Sequence, residues 1–183
     1  MSTENSLSPV DLESSQTGWH AMRAEFHALV RSIPPDLFKS RTLDTRWSIA
    51  EILTHMIMSI ELIPQEIESV RQGKDFLNVP PLIATTVNLI WVRMRARKAT
   101  PQSIIDSYDR AFKLALEAWD KVNPADWAKG ANFFGEGYRT LAENYSIAIT
   151  HFHEHAGQIR DSLPNTARLP HNPLQQTTTA DPQ

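Results

Sequence analysis

Two of the seven histidines, His151 and His155, lie four residues apart in the segment HFHEH. On a helix, residues at this spacing project from the same face about one turn apart, so two imidazoles could hold one divalent metal ion. At about 100° per residue, Asn144 and Gln158 fall on the same strip, whereas His153 points roughly 160–200° away from the pair. The spacing therefore predicts that His151 and His155 supply two ligands of a metal site and that His153 is not a ligand.

A third candidate ligand is His55, on the flank of the apolar stripe of an earlier predicted helix. Bundles build metal sites from side chains on facing helices. One histidine from this helix and the pair His151 and His155 would make a three-ligand site. A pair at i and i+4 also has a plainer interpretation, as solvated or hydrogen-bonded histidines at a bundle edge, and that alternative stays open.

Three neutral imidazoles would determine which ions bind and what chemistry follows. We expect one divalent ion, zinc or nickel first, with iron, manganese and copper as alternatives. Three protein ligands leave coordination positions open, which is typical of a catalytic site, and an ion there could lower the pKa of bound water to about 7 or hold a thiolate. Gln158 and Asn144 could orient the metal ligands or the substrate by hydrogen bonds without binding the ion themselves. Alternatively, they could only form hydrogen bonds with backbone groups.

The elements that must position these residues are helices, because apolar residues recur at spacings of three and four over most of the chain. Ser48 with Glu51 forms a capping box that opens the helix of His55. Thr140 with Glu143 forms a second box that opens the helix of HFHEH. Both candidate ligand helices therefore have strongly specified starts.

The other helices are predicted from stripes of apolar residues and from the prolines that begin or end a helix. The first carries its stripe over residues 19–33; Thr100 before a proline opens the fourth, and Asn123 before a proline opens a short one. Residues 133–137 are predicted as a turn, and no window alternates long enough for a strand. The fold class is all-α, an up-down four-helix bundle with one or two short extra helices. The stripe of the third helix comprises Ile83, Val87, Ile90 and Met94.

Length and composition fit one domain of 183 residues. We predict a frayed N-terminus over residues 1–12, a helical bundle domain over 13–163 and a flexible polar tail over 164–183. The chain has no cysteine, which excludes disulfides and a protein thiol nucleophile. Any thiol in its chemistry must therefore arrive as a low-molecular-weight cosubstrate.

The net charge and the hydropathy of the chain limit the classes of partner that we expect. A net charge of −3 and a pI near 6.1 give no field that would attract nucleic acid, so no nucleic-acid partner is expected. No stretch approaches eighteen uncharged apolar residues, so no membrane partner is expected either. The first thirty residues lack the pattern of a secretory signal. We expect a cytoplasmic protein with a small-molecule substrate.

Two motifs, WSIAEILTH at 47–55 and HFHEHAGQI at 151–159, resemble the paired signatures of the DinB-like superfamily. The resemblance implies a four-helix bundle with a divalent metal held by three histidines, which correspond to His55, His151 and His155. It also implies thiol-dependent chemistry, as in isomerases and transferases of the family, and frequent dimers. The position after the last ligand, a histidine in many relatives, is Ala156 here, so the chain departs from the family at that position.

Two classes of function follow from these features. In the first, the chain is a metal-dependent enzyme, a thiol-dependent S-transferase or a hydrolase, that uses the open positions of a three-histidine site. In the second, it is a non-enzymatic binding or stress-response module whose metal site is structural, sensory or vestigial. Fold and ligands do not fix a substrate. Accessibility of the metal face to solvent would favour the enzyme.

A homodimer is expected, partly from the resemblance and partly from surplus apolar residues. A helix in a four-helix bundle buries one broad stripe, so apolar residues off that stripe are either exposed or covered by a partner. The alternative is that the short helix and the turn at 133–137 cover them within one chain. These surplus residues are Leu89, Trp91 and Val92 on the third helix and Leu114 on the fourth.

Overall fold

The computed structural model describes residues 9–43, 47–76, 79–133 and 137–164. In these ranges the chain is mostly helical, as expected. Five α-helices, a short 3-10 helix and two short strands follow one another along the chain. They are α1 (Pro9–Ser32), α2 (Ile49–Arg71), α3 (Pro81–Ala96), α4 (Pro101–Trp119), the 3-10 helix (Pro124–Asp126), β1 (Gly130–Asn132), β2 (Tyr138–Thr140) and α5 (Leu141–Ser162).

Four helices form the bundle. α2 packs against α4 and α5, and α1 packs against the same two helices, so the four close around one core. α3 lies outside this ring and packs mainly against α2. The extra helices expected from the sequence are therefore α3 and the 3-10 helix.

Aromatic side chains from three helices fill the centre of the core. Trp19 of α1 stacks on Tyr145 of α5 with ring centroids 5.4 Å apart, and its indole Nε1 donates a hydrogen bond of 3.0 Å to the Tyr145 carbonyl. Phe26 of α1 stacks on Tyr108 of α4 at 3.7 Å. Burying each such side chain contributes about 1.5–3 kcal/mol. These contacts tie α1 to both of its neighbours.

Both predicted capping boxes are present. The Ser48 amide donates to the Glu51 carboxylate at 2.7 Å, and the Glu51 amide donates back to the Ser48 hydroxyl at 3.3 Å. Thr140 and Glu143 make the same reciprocal pair at the start of α5, at 2.8 and 3.2 Å. Each box satisfies backbone amides that lack partners in the first turn and fixes where the helix begins. The registers of the two ligand-bearing helices are set locally in this way.

The predicted boundaries of the terminal segments stay predictions. α1 begins at Pro9, so it includes the last four residues of the segment 1–12 that was predicted to be frayed. Residues 1–8 and 165–183, which contain the rest of that segment and nearly all of the expected tail, lie outside the described residues.

A small antiparallel hairpin corrects the expectation that no strand forms. β1 pairs with β2, with Gly130 opposite Thr140 and Asn132 opposite Tyr138. A Cβ on Gly130 would lie 2.2 Å from the Arg139 carbonyl oxygen, so only glycine allows this close approach. Three residues are too few to produce visible alternation in a sequence. The turn predicted at 133–137 lies between the strands, although residues 134–136 are outside the described part.

The face that α3 turns inward is the opposite of the predicted one. Val92 is fully buried and Ala96 nearly so, whereas Trp91 is 61% exposed. Leu89, expected to be surplus, is half-buried, and Val92 was wrongly placed off the main stripe. Because α3 touches the bundle along one narrow strip, most of its apolar side chains point away from it. The predicted inward stripe is exposed throughout: Ile83, Val87, Ile90 and Met94.

An ion-pair cluster joins α1 to α4 on the outer surface of the bundle. Asp109 accepts hydrogen bonds of 2.8 Å from Arg23 Nε and from His27 Nε2. The hydrogen bond from Arg23, reinforced by the one from His27, lowers the pKa of Asp109. A lowered folded-state pKa stabilises the protein above the unfolded value of about 3.9, and this contribution is lost as the pH falls through the folded value.

We predict that Asp109→Asn lowers the free energy of unfolding by about 0.5–1 kcal/mol at pH 7, because the pair is partly exposed and screened by solvent. The deficit should shrink as the pH falls below the unfolded-state value of about 3.9 and through the lower folded-state pKa of Asp109. Urea unfolding between pH 7 and pH 3 measures both. Asp106→Asn, one turn away and bonded only to Gln102 among the described residues, is the control and should change stability by less than about 0.5 kcal/mol.

Candidate metal centre

The structure brings the three candidate ligands to one point between two helices. α2 carries His55, and α5 carries His151 and His155. His151 Nε2 lies 3.2 Å from His55 Nε2 and 3.1 Å from His155 Nε2. One ring nitrogen from each of the three residues falls within 4.8 Å of the others. All three side chains are half-buried, so the cluster sits at an accessible edge of the bundle.

This geometry fits a metal ion. Imidazole nitrogens bind zinc at about 2.0–2.1 Å, so two ligands at a tetrahedral angle stand about 3.3 Å apart. The separations of 3.1 and 3.2 Å that His151 makes with its two neighbours are close to this value. A hydrogen bond between two histidines needs only two nitrogens that face each other. Here the Nε2 atom of His151 lies close to the Nε2 atoms of both other histidines. The donor set therefore suits a divalent ion with coordination positions left open.

Burial keeps two of these imidazoles neutral. It lowers the pKa of His55 to about 3, with a further contribution from the neighbouring His151 and His155. It lowers the pKa of His151 to about 4, again assisted by His155. Because a metal ligand must offer an unprotonated nitrogen, these two side chains are ready to bind at neutral pH.

The two amides expected beside the ligands are placed differently. Gln158 Oε1 lies 2.8 Å from Nδ1 of His155, so it can accept the proton of that nitrogen and leave Nε2 free. Asn144 is half-buried two turns before His151 and makes no hydrogen bond to the three histidines within the described structure. His153 turns away, with its Nδ1 3.7 Å from Glu25 on α1.

Two neighbours of the site were not predicted. The Trp47 ring packs 4.7 Å from the His55 ring and 6.4 Å from that of His155, forming an aromatic wall. The amide nitrogen Nδ2 of Asn88 on α3 lies 3.4 Å from Nδ1 of His55. The position of Trp47 within the motif WSIAEILTH was a sequence signal from which its place at the site could have been predicted. Asn88 had none, since it is a lone polar residue on a helix whose inward face the apolar pattern misplaces.

Comparison with known proteins assigns the family. The sequence profile of the DinB superfamily matches residues 19–159, which is most of the chain. The chain belongs to the DinB superfamily. Among curated proteins, none matches it. This membership accounts for the helical bundle and for the presence of both motifs.

The crystal structure of the mycothiol-dependent maleylpyruvate isomerase is similar to this DinB chain, with a TM-score of 0.68 and 12% sequence identity. The match covers 87% of this chain and 63% of that one, so the chain spans less than two thirds of the isomerase. At this identity, the similarity concerns the fold alone.

Two further observations bear on this DinB chain. Ala156, directly after His155, is completely buried against the core, so this position contributes no polar group to the site. Over the described residues, none of the helices combines the length and hydropathy needed to cross a membrane.

We predict that protein purified without a nickel column holds about one divalent ion per chain, and that His55→Ala and His151→Ala each lower metal affinity by more than the 10–100-fold typical of outer-shell changes. Elemental analysis and chelator competition measure this. His153→Ala is the matched control, because His153 lies on the same helix beside the ligands but faces α1. Equal metal content in His151→Ala and His153→Ala would refute the site.

Proposed function

We propose that this DinB protein is a metal-dependent enzyme, a thiol-dependent S-transferase or a hydrolase, with His55, His151 and His155 as ligands of one divalent ion. The observation that carries the proposal is the convergence of the three Nε2 atoms at separations suited to a shared ion. Zinc or nickel is proposed first, and iron, manganese or copper would also fit the site.

The thiol is proposed as a low-molecular-weight cosubstrate. The chain contains no cysteine, so it supplies no sulfur nucleophile of its own. The solved structure of similar fold is named as a mycothiol-dependent enzyme, which supports this choice without fixing the thiol. An ion in the site would supply a Lewis acid that favours a thiolate or a hydroxide at neutral pH.

The chain's own residues would hold and orient the reactants. Gln158 accepts the Nδ1 proton of His155 and keeps Nε2 directed at the shared point. Trp47 covers one side of the histidine rings and limits water on that side. Asn144, farther along the same strip of α5, is proposed as a polar contact for substrate. No histidine in the cluster needs to gain a proton for the site to bind.

The alternative is a non-enzymatic binding or stress-response module with a structural, sensory or vestigial metal site. A structural site is closed, with all coordination positions filled by protein. Among the described residues, three half-buried histidines offer one ligand nitrogen each, which favours the enzyme. The same proposal includes a small-molecule substrate and a cytoplasmic location, since the cytosol keeps a thiol cosubstrate reduced.

The test is a screen of small thiols with electrophilic substrates, and of hydrolysable esters and amides, against the metal-loaded protein. We expect turnover of at least one pair or ester that is abolished by chelation and by His151→Ala but retained in His153→Ala. Metal binding without any turnover above the His151→Ala background across the screen would favour the binding module. Turnover that survives chelation would contradict a metal-dependent reaction.

The proposal extends to a homodimer assembled through the outer face of α3. Six large apolar side chains on this helix are about half exposed or more; together they present an area on the order of several hundred Å², which is unusual on a monomer and approaches the ~800 Å² per partner of a standard interface. The segment 82–92 carries no charged residue, so a second copy of the same face meets no repulsion there. The six are Leu82, Ile83, Val87, Ile90, Trp91 and Met94.

We predict that Trp91→Glu converts a dimer into a monomer near 20.7 kDa, because a charge would be buried in the apolar interface. Sedimentation at micromolar concentrations measures the mass. Leu114→Glu on α4 is the control, since Leu114 is comparably exposed at 56% but lies off α3. A wild-type mass of one chain at all concentrations would exclude the dimer, and loss of dimer only in Leu114→Glu would move the interface to α4.

A further inference from the structure

α3 reaches the metal ligands from outside the bundle. It rests on α2 through the buried Val92 and Ala96, and one turn before Val92 it presents Asn88 to the site. The Asn88 side-chain amide nitrogen, Nδ2, lies 3.4 Å from Nδ1 of His55. Within the described structure, Asn88 is the one side chain placed at hydrogen-bonding distance from that nitrogen. The nitrogen on the other side of the ring, Nε2, faces His151.

Two ion pairs hold this part of α3 against α2. Arg93 Nε lies 3.7 Å from Glu51 Oε1, and Arg95 forms a two-nitrogen pair with the Glu61 carboxylate. Glu51 precedes His55 by one turn and Glu61 follows it by six residues, so the two contacts flank the histidine along α2. On α3 both arginines follow Asn88, so these pairs anchor the C-terminal half of the helix and do not touch the contact between Asn88 and His55.

The tautomer of the His55 imidazole determines which group donates the hydrogen bond in this contact and which accepts it. If Nε2 of His55 binds the ion, the proton of the neutral ring must sit on Nδ1, and Nδ1 then needs an acceptor. An amide can offer either its oxygen or its nitrogen at one position by a 180° rotation. With nitrogen toward Nδ1 the amide selects the tautomer protonated on Nε2, which cannot bind metal. With oxygen toward Nδ1 it selects the tautomer that can.

We propose that Asn88 is a positioning residue for His55. A 180° rotation of its carboxamide exchanges Nδ2 for Oδ1, so that the oxygen accepts the Nδ1 proton and holds Nε2 toward the shared metal position. Gln158 makes the equivalent contact with Nδ1 of His155, at 2.8 Å. Two of the three ligands are therefore oriented by amide side chains, one from α5 itself and one from the helix outside the bundle. This inference rests on the proposed function, because it assumes that the three histidines bind an ion.

The test compares zinc affinity, by chelator competition, among three variants. Asn88→Leu removes the acceptor while keeping a similar volume, and should weaken zinc binding 10–100-fold. Asn88→Asp keeps an oxygen at the same place and should bind within about threefold of the wild type or more tightly. Arg95→Gln breaks an ion pair of α3 without touching His55, and should also stay within about threefold. Circular dichroism verifies that each variant is folded.

A second readout follows the proton itself. In the zinc-loaded wild type and in Asn88→Asp, nitrogen-15 NMR of the histidine rings should assign the His55 proton to Nδ1 and show it protected from exchange with water. Asn88→Leu should lose that protection while the Nδ1 proton of His155, bonded to Gln158, keeps it. A role for Asn88 confined to anchoring α3 would leave the two rings equally affected.

The outcomes separate this inference from the proposed function. Wild-type protein that binds no zinc would overturn both. Wild-type binding with undiminished affinity in Asn88→Leu would overturn the role of Asn88 alone. Equal weakening in Asn88→Leu and Arg95→Gln would also overturn it, because the effect would then belong to the attachment of α3 and not to the hydrogen bond.

Discussion

The convergence of three imidazole nitrogens on one point is the constraint on which the rest of the site depends. His151 and His155 are brought together by the helical repeat alone, but His55 comes from a separate helix, so α2 and α5 must be held at one separation and one register. A displacement of about 1.5 Å, the rise of one residue along a helix, would be comparable to a metal–nitrogen bond and would break the cluster. The packing of the bundle must therefore fix the separation and the register of α2 and α5.

Local and distant interactions share that task. The capping boxes at Ser48 and Thr140 determine where α2 and α5 begin and hence which residues face each other. The aromatic core fixes α5 to α1, since Trp19 of α1 is held to Tyr145 of α5 both by stacking and by the indole hydrogen bond. Because α4 packs against both α1 and α2, the ring of helices then closes with α2 beside α5. Burial between α2 and α5 lowers the pKa of His55 and His151, which keeps these two imidazoles unprotonated at neutral pH.

α3 combines features that a bundle helix does not need. Its inner strip packs on α2 and carries Asn88 to the edge of the metal centre, whereas its outer face exposes apolar side chains such as Trp91. Both properties have the same origin. A helix that touches only one neighbour buries a narrow strip, and an apolar sequence longer than that strip must place the remainder outside. Among the described residues, the helix that brings Asn88 to the candidate site therefore also carries the most exposed large apolar side chains, which are available for assembly.

The sequence by itself determined the helices, their starts and the grouping of the ligands on α5, because these follow from the 3.6-residue repeat and from hydrogen bonds between residues three apart. It also placed His55 on the flank of α2 and Gln158 on the strip of His155. The inward face of α3, the contact of Asn88 with His55 and the short hairpin were decided only by the tertiary structure. A helix with apolar residues on two faces does not specify which face meets a neighbour, and a three-residue strand carries too short a pattern to be recognised. Such choices depend on partners that are distant in the chain.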